Sequence, residues 1–134
     1  MKSGSCIVKT TKTMELVDIT ALLAKEITAN DCSNGLCMVY NPHTTAGLTI
    51  NEGADPAVQA DIIAGFRQFV PLHHPFMHRE GNSPAHIMAS LMGSSLTIAF
   101  KNGRFQLGTW QKVFFCEFDG PRTRNVHYHF IESL

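Results

Sequence analysis

The chain has 134 residues, of which 44% are hydrophobic and 16% charged, and its formal net charge is zero. This composition supplies a hydrophobic core and excludes a disordered chain. The neutral balance excludes the long-range field that attracts nucleic acids or anionic membranes, so an anionic ligand has to be held by a local cluster of donors. We therefore predict one globular domain over residues 1–134, with neither nucleic acid nor a membrane as partner.

Three strands and one helix are predicted in the first part of the chain. The stretch 5–12 mixes apolar and β-branched residues as strands do. Asp18 is placed to cap a helix over residues 19–28, whose apolar positions fall on one face. The apolar runs 36–40 and 48–51 predict two further strands, one on each side of a polar turn.

Two later helices share a start signal in which a capping residue precedes proline. The pair Asp55–Pro56 predicts a helix that runs to about Phe69. The pair Ser83–Pro84 predicts a second helix that ends near residue 92, where Gly93 is a suitable stop.

The last third of the chain reads as β-structure. The pair Asn102–Gly103 is typical of a two-residue hairpin turn, and residues 119–121 predict another turn. Strands are predicted at residues 95–100, 104–109, 113–118 and 125–132. About three helices among strands with hairpin-type connections predict an α+β fold with antiparallel sheets.

The four cysteines are irregularly spaced, and residues 1–13 lack the apolar segment of a secretory signal. We therefore expect reduced, mostly buried thiols in a cytoplasmic protein. Cys32 and Cys37 remain open as a pair of metal ligands, although no second pair accompanies them.

Seven histidines are many for this length, and four of them lie within residues 73–86. His43 lies in the polar turn between two predicted strands, whereas His78 and His86 lie in and after the proline-rich loop. Three imidazoles with one open position form a catalytic zinc-type site, so a metal site is one interpretation. The alternative is a set of solvated or hydrogen-bonded loop histidines, because no diagnostic metal motif is present.

The other histidines are expected outside such a site. His73 and His74 flank prolines and indicate a solvated loop. Strand alternation places His127 and His129 on an exposed or subunit-facing side, opposite Val126, Tyr128 and Phe130.

Several other polar residues have both a structural and a functional interpretation. Glu117 lies inside an apolar strand, which predicts a buried carboxylate paired with Arg122 or Arg124. Trp110 follows Gly108 and Thr109, a combination that indicates a bulge, although a core position is the simpler interpretation. Glu52 and Asn82 each precede a predicted helix, so the structural interpretation is that Glu52 leads into its helix and Asn82 caps its helix.

Taken together, these motifs resemble the YjbQ-like family, an uncharacterised family to which a secondary thiamine-phosphate synthase activity is ascribed. The likeness covers nearly the whole chain in the right order. It is carried by His43–Glu52 (HTTAGLTINE), His78, Glu80–Asn82, His86, Gly93, Gly103, Gly108–Gln111 and Glu117–Arg122.

The resemblance implies a compact α+β fold with an antiparallel β-sandwich, a homotrimer and a polar pocket where the motif histidines meet. It selects His43, His78 and His86 as metal ligands and adds other motif positions as their neighbours. Candidate catalytic carboxylates are Glu52, Glu80 and Glu117, and candidate substrate-binding residues are Thr44, Thr45, Asn82, Trp110, Gln111 and Arg122. The chain departs from members with an acidic residue just before the Ala85–His86 pair, where Pro84 stands.

Three functions follow as hypotheses. In the first, three histidines hold a divalent transition metal, zinc before nickel or cobalt, that acts on a small phosphorylated substrate with Glu80 or Glu117 as acid or base. In the second, the protein is the transferase, its histidines bind phosphate directly, and Trp110 stacks on a pyrimidine. In the third, a trimer binds a small ligand or a metal without turnover.

Overall fold

The computed structural model describes residues 1–134 as three helices and eight strands. None of the helices combines the length and the apolar composition that crossing a membrane demands. In chain order the elements are β1 Lys2–Lys9, β2 Glu15–Asp18, α1 Thr20–Ala29, β3 Gly35–Tyr40, β4 Ala46–Glu52, α2 Pro56–Phe69, α3 Ser83–Met92, β5 Ser95–Lys101, β6 Arg104–Phe105, β7 Gln111–Glu117 and β8 Thr123–Glu132.

The strands form two antiparallel sheets. The larger sheet has the order β1-β8-β3-β5-β6, and the smaller has the order β2-β7-β4. In the smaller sheet Ala46 is paired with Glu117 and Glu52 with Gln111, so β4 and β7 run side by side over their full length. This register determines which of the predicted site residues lie at the same end of the two strands.

The central strand β7 is buried on both faces. Val113 and Phe115 point into the main core, which lies between the two sheets and also receives α1. Phe114 and Cys116 point the other way, into a second core formed with α2 and α3. The continuous apolar sequence of β7 follows from this double burial. The predicted α+β architecture with an antiparallel β-sandwich and three helices is confirmed.

The predicted starts and turns are accurate wherever a side chain fixes the backbone. The Asp55 carboxylate accepts the Ala57 N–H at 2.9 Å, and α2 covers the predicted residues. Asn102 and Gly103 have φ values of 52° and 71°, the positive pair that the predicted hairpin turn requires.

The structure corrects the prediction in several places. Strand β1 spans Lys2–Lys9 rather than residues 5–12. Strand β2 was not predicted, because it is four residues long and polar at both ends. The strand predicted over residues 104–109 ends at Phe105. Helix α1 has Ile19 at its cap position, although the Asp18 carboxylate still accepts the Thr20 N–H at 2.9 Å.

All four cysteines are buried and unpaired, as predicted for reduced thiols. Burial raises the pKa of the Cys37 and Cys116 thiols to about 12. Because the thiolate is the reactive form of cysteine, these two side chains are not available as nucleophiles near neutral pH.

The outer face of the larger sheet is uncovered. His127 and His129 lie on this face, opposite the buried Val126, Tyr128 and Phe130, as the alternation predicted. Large hydrophobic residues accompany them, each 38% to 61% exposed. We call this surface the open sheet face; its apolar members are Ile7, Leu36, Met38, Tyr40 and Ile131.

Candidate functional site

A polar cleft lies at one end of the sandwich, where β3 ends and β4 and β8 begin. A buried amide shapes the turn that carries His43 into it. The Asn41 side chain, 1% exposed, donates to the Ala46 carbonyl at 2.7 Å and accepts the His43 N–H at 2.9 Å. Asn41 therefore fixes the turn that presents His43 and Thr44, a role that the sequence analysis did not assign to it.

The cleft has a volume of about 440 Å³, and no hydrophobic residue lines it. Eight of the predicted site residues line it, from the 41–45 turn, the 70–82 loop, α3 and the turn just before β8. The lining consists of Pro42, His43, Thr44, Thr45, His78, Glu80, Asn82, His86, Arg122 and Arg124. Glu80 is the only carboxylate among them.

A buried ion pair closes the end of the sandwich beneath the cleft. Glu117 is fully buried and Arg124 is 4% exposed. The guanidinium Nε donates to Glu117 Oε1 at 2.9 Å, and Nη2 donates to Glu117 Oε2 and, at 2.9 Å, to Thr45 Oγ1. Thr10 donates to the same carboxylate at 2.7 Å. Of the two arginines that the sequence offered, Arg124 is therefore the partner of Glu117.

The hydrogen bonds to Glu117 keep its carboxylate ionised. Burial alone raises the pKa of this group, but the Arg124 guanidinium, the Thr10 hydroxyl and the Asp119 N–H stabilise the charged form, and the pKa falls below its ordinary value. Glu117 also does not line the cleft. It therefore holds Arg124 in place, and the structure does not present it as the general acid or base of the site.

His43 is half-buried, and one ring nitrogen is already engaged. Its Nε2 accepts the Asn125 N–H at 2.9 Å. Burial and the nearby Arg124 charge lower the pKa of His43, so the ring is neutral near pH 7 and carries its proton on Nδ1. In this state Nδ1 is a hydrogen-bond donor, and neither nitrogen offers a free lone pair to a metal.

His78 and His86 lie next to each other, with ring centroids 5.3 Å apart and planes nearly perpendicular. Neutral imidazoles are good ligands for zinc and related metals, so this pair fits as two members of a site. The predicted third member, His43, does not fit, because Nε2 is hydrogen-bonded. No group of three or more His, Cys, Asp or Glu side chains in the chain is arranged to hold a metal ion.

Arg122 is the more exposed guanidinium of the cleft. Its Nε donates to the Asp119 carbonyl at 2.7 Å, and its Nη2 lies 2.9 Å from the Asp119 carboxylate. Asn82 Nδ2 donates to the same carboxylate at 2.9 Å, while Asn82 Oδ1 is buried without a partner. Asp119 thus orients one arginine and one amide toward the cleft without lining it.

Three predicted site residues lie elsewhere in the chain. Glu52 and Gln111 are paired at the far end of β4 and β7, six residues from the Ala46–Glu117 pair, a distance of roughly 20 Å at the rise of a strand. Trp110 precedes Gln111 and is 63% exposed, so it is neither in the core nor in the cleft. The Gln111 side chain accepts the Gly108 N–H at 2.8 Å and serves its own turn.

Arg124 is the cleft residue that sequence reasoning had considered only as a structural partner. A signal was available, because Arg124 shares the inward side of β8 with Val126, Tyr128 and Phe130. An arginine on the buried side of a strand needs a buried acceptor, and Glu117 on the inward side of an apolar strand supplies it.

The comparisons with known proteins agree with one another. Residues 5–133 match the family model described as UPF0047 protein YjbQ-like. The chain is 50% identical to a UPF0047 protein of Methanocaldococcus jannaschii over 92% of this chain and 90% of that protein. It is 46% identical to UPF0047 protein YugU of Bacillus subtilis over 90% of this chain and 92% of the relative.

Solved structures show the same fold. An uncharacterised YjbQ/UPF0047 protein of Clostridium acetobutylicum superposes with a TM-score of 0.92 at 47% identity, covering 95% of this chain and 98% of that one. A hypothetical protein of Aeropyrum pernix gives a TM-score of 0.93 at 36% identity, covering 99% of this chain and all of the other.

Proposed function

The chain belongs to the YjbQ-like UPF0047 family, and from its cleft we propose that this protein binds a small phosphorylated molecule. One observation carries the proposal. Two guanidinium groups, three imidazoles and two threonines line the same cleft, without any hydrophobic residue and with one carboxylate. Such a set of donors matches the acceptor oxygens of a phosphate group.

The arginines support the proposal by being held in position. The carboxylates that orient them, Glu117 and Asp119, lie outside the lining. A guanidinium that is fixed before the ligand arrives loses little side-chain entropy on binding. Neutral hydrogen-bond donors are added by the hydroxyl groups of Thr44 and Thr45 and by the Nδ1–H of His43.

The experiment is a calorimetric titration of the protein with inorganic phosphate and with a phosphomonoester such as ribose 5-phosphate. We expect Arg122→Met to weaken binding about tenfold or more, because hydrogen bonds to charged groups contribute about 1.5–3 kcal/mol. Arg104→Met, at an exposed position in β6, is the matched control and should leave the affinity unchanged. Equal affinities for the wild type and Arg122→Met would overturn the proposal.

The adjacent rings of His78 and His86 favour a second candidate, a metal-dependent hydrolase. Here the two imidazoles bind a divalent transition metal, zinc by preference with nickel or cobalt as alternatives, and Glu80 serves as general acid or base. Elemental analysis of tag-free protein tests it, together with release of phosphate from phosphomonoesters. Metal that is found in the wild type but not in His78→Ala or His86→Ala supports this candidate. If the protein binds a ligand but holds no metal and releases no phosphate, the hydrolase is rejected and a binding protein without turnover is favoured.

The thiamine-phosphate synthase activity that the resemblance implies is tested by an assay with the pyrimidine and thiazole phosphates. In its support, the cleft offers donors for a pyrophosphate leaving group. The aromatic surface assigned to the pyrimidine is not there, because Trp110 lies at the other end of β7. Turnover that is lost in His43→Ala would favour the transferase, and equal turnover in both proteins would reject a role for the cleft.

We further propose that the protein assembles as a homotrimer through the open sheet face. The face exposes several large apolar residues side by side, which on soluble proteins is typical of an interaction surface. A neighbouring subunit would cover these apolar residues and remove them from water.

A further inference from the structure

A second cavity of about 370 Å³ adjoins the cleft and shares His43, Thr44 and His86 with it. We call it the second arm. The residues that belong to the second arm alone come from the start of β4 and from the end of α3 and the turn after it. They are Ala46, Ala89, Ser90, Gly93 and Ser94.

The walls of the second arm are fixed by backbone hydrogen bonds. The Gly93 carbonyl accepts the Leu48 N–H at 3.0 Å, and the Ser94 carbonyl accepts the Asn41 N–H at 2.8 Å. Helix α3 also approaches β4 closely, since a Cβ atom on Gly47 would lie 2.8 Å from Met92 Cβ. The second arm is therefore a formed cavity.

Gly93 keeps one side of the cavity open. Its φ of 96° is a conformation that side chains other than glycine rarely adopt, and no atom lies within 4 Å of where its Cβ would be. A volume of this size is within the range of small-molecule pockets, so a ligand can extend from the cleft into the second arm.

The chemistry of the second arm differs from that of the cleft. It contains no carboxylate, lysine or arginine, and its only titratable groups are the shared imidazoles. The Ser90 hydroxyl donates to the His86 carbonyl at 2.9 Å, which leaves its oxygen free to accept. A cationic amine would find no carboxylate here, and a second phosphate would find no guanidinium.

Resting on the proposed phosphate-binding function, we propose that the second arm binds the neutral, hydroxyl-bearing part of a phosphomonoester, such as a sugar or polyol, while its phosphate lies in the cleft. His43, Thr44 and His86 stand where the two cavities join and face the ester linkage. The protein thus selects sugar-like phosphomonoesters over free phosphate, over amine-bearing phosphates and over bisphosphates.

Calorimetric titrations with inorganic phosphate, ribose 5-phosphate and O-phosphoethanolamine test this selection. We expect ribose 5-phosphate to bind about tenfold more tightly than inorganic phosphate, a difference of about 1.4 kcal/mol, and phosphoethanolamine to gain nothing. Ser90→Phe fills the second arm and should remove the tenfold gain while leaving the affinity for inorganic phosphate unchanged. Ala60→Phe, at an exposed position in α2, is the matched control and should retain the gain.

The outcomes separate the two proposals. If inorganic phosphate and ribose 5-phosphate bind the wild type equally well, the second arm is not a subsite and only this inference fails. If neither compound binds, the proposed function fails and this inference fails with it. Should Ser90→Phe fold poorly, Ser94→Phe tests the same cavity from its other side, and retention of the gain in both folded variants would overturn the inference.

Discussion

Glu117 of β7 and Arg124 of β8 form an ion pair that links the two sheets at the end of the sandwich, beyond the apolar core between them. Both side chains are almost fully buried. Placing charges there is costly unless both are paired and hydrogen-bonded, and Thr10 and Thr45 complete that requirement. The same arrangement leaves Arg124 at the wall of the cleft.

The first prediction concerns the stability of this pair. Glu117→Gln leaves the Arg124 charge buried without its counter-ion, so we expect the free energy of unfolding to fall by about 3 kcal/mol or more. Urea unfolding followed by circular dichroism measures the change. The control is Glu132→Gln, whose ion pair with Lys2 spans 4.0 Å at the surface and should change stability by less than about 1 kcal/mol.

A double variant separates charge burial from packing. Replacing both members, as in Glu117→Leu with Arg124→Met, removes both buried charges and should recover part of the stability lost in Glu117→Leu. The double variant should nevertheless bind phosphate more weakly than the wild type. Full affinity in a folded double variant would mean that Arg124 does not contact the ligand.

The second prediction concerns acid unfolding. The folded pKa of Glu117 is lowered, so the pair contributes stability that is fully present above the ordinary pKa of 4.5 and is lost as pH falls through the lowered folded value. The stability curves of the wild type and Glu117→Gln should therefore approach each other as the pH falls below 4.5. Curves that stay parallel down to acid unfolding would show that the pKa of Glu117 is not lowered in the folded protein.

The third prediction concerns the protonation of His43. Burial and the Arg124 charge lower its pKa, so the ring should titrate below the ordinary value of 6.5. Nitrogen NMR should show the proton on Nδ1 and the lone pair on Nε2, because Nε2 accepts the Asn125 N–H. His43→Gln identifies the signal. A titration midpoint above 6.5 would contradict the effect of burial and of Arg124 on the pKa, and a proton on Nε2 would contradict the hydrogen bond from Asn125.

The fourth prediction concerns assembly. Met38 lies at the middle of β3 on the open sheet face, opposite His129 and Thr97 of the neighbouring strands. Met38→Glu places a charge where the trimer would bury an apolar side chain, and we expect a monomer in light scattering, with the wild type a trimer. Val58→Glu, at a partly exposed position in α2, is the control and should leave the mass unchanged. A monomeric wild type would disprove the trimer.

The fold was predictable wherever a residue imposes a local conformation. Asp55 with Pro56 and Asn102 with Gly103 each determine a few backbone angles, and the elements they begin or connect occur as predicted. Strand β2 has no such residue, because its four positions become a strand through pairing with β7, a contact across about a hundred residues.

The site was predictable by residue type but only partly by position. His43, His78 and His86 line the same cleft, because the turn after β3 and the start of α3 lie at the same end of the sandwich. Glu52 and Gln111 carry an equally clear motif, yet the pairing of β4 with β7 carries them away from this end. A shared motif does not say how far apart two residues lie in the fold. Here the register of the paired strands determines that distance.

The position of β8 has a consequence for synthesis of the protein. This strand follows every other element in the chain but lies inside the larger sheet, hydrogen-bonded to β1 on one side and β3 on the other. A nascent chain that has not yet emerged beyond residue 122 lacks the strand that links its first and third strands, and it lacks Arg124. Folding during translation therefore has to wait for residues 123–132, and until then the Glu117 carboxylate lacks its Arg124 counter-charge and the end of the molecule that carries the cleft is incomplete.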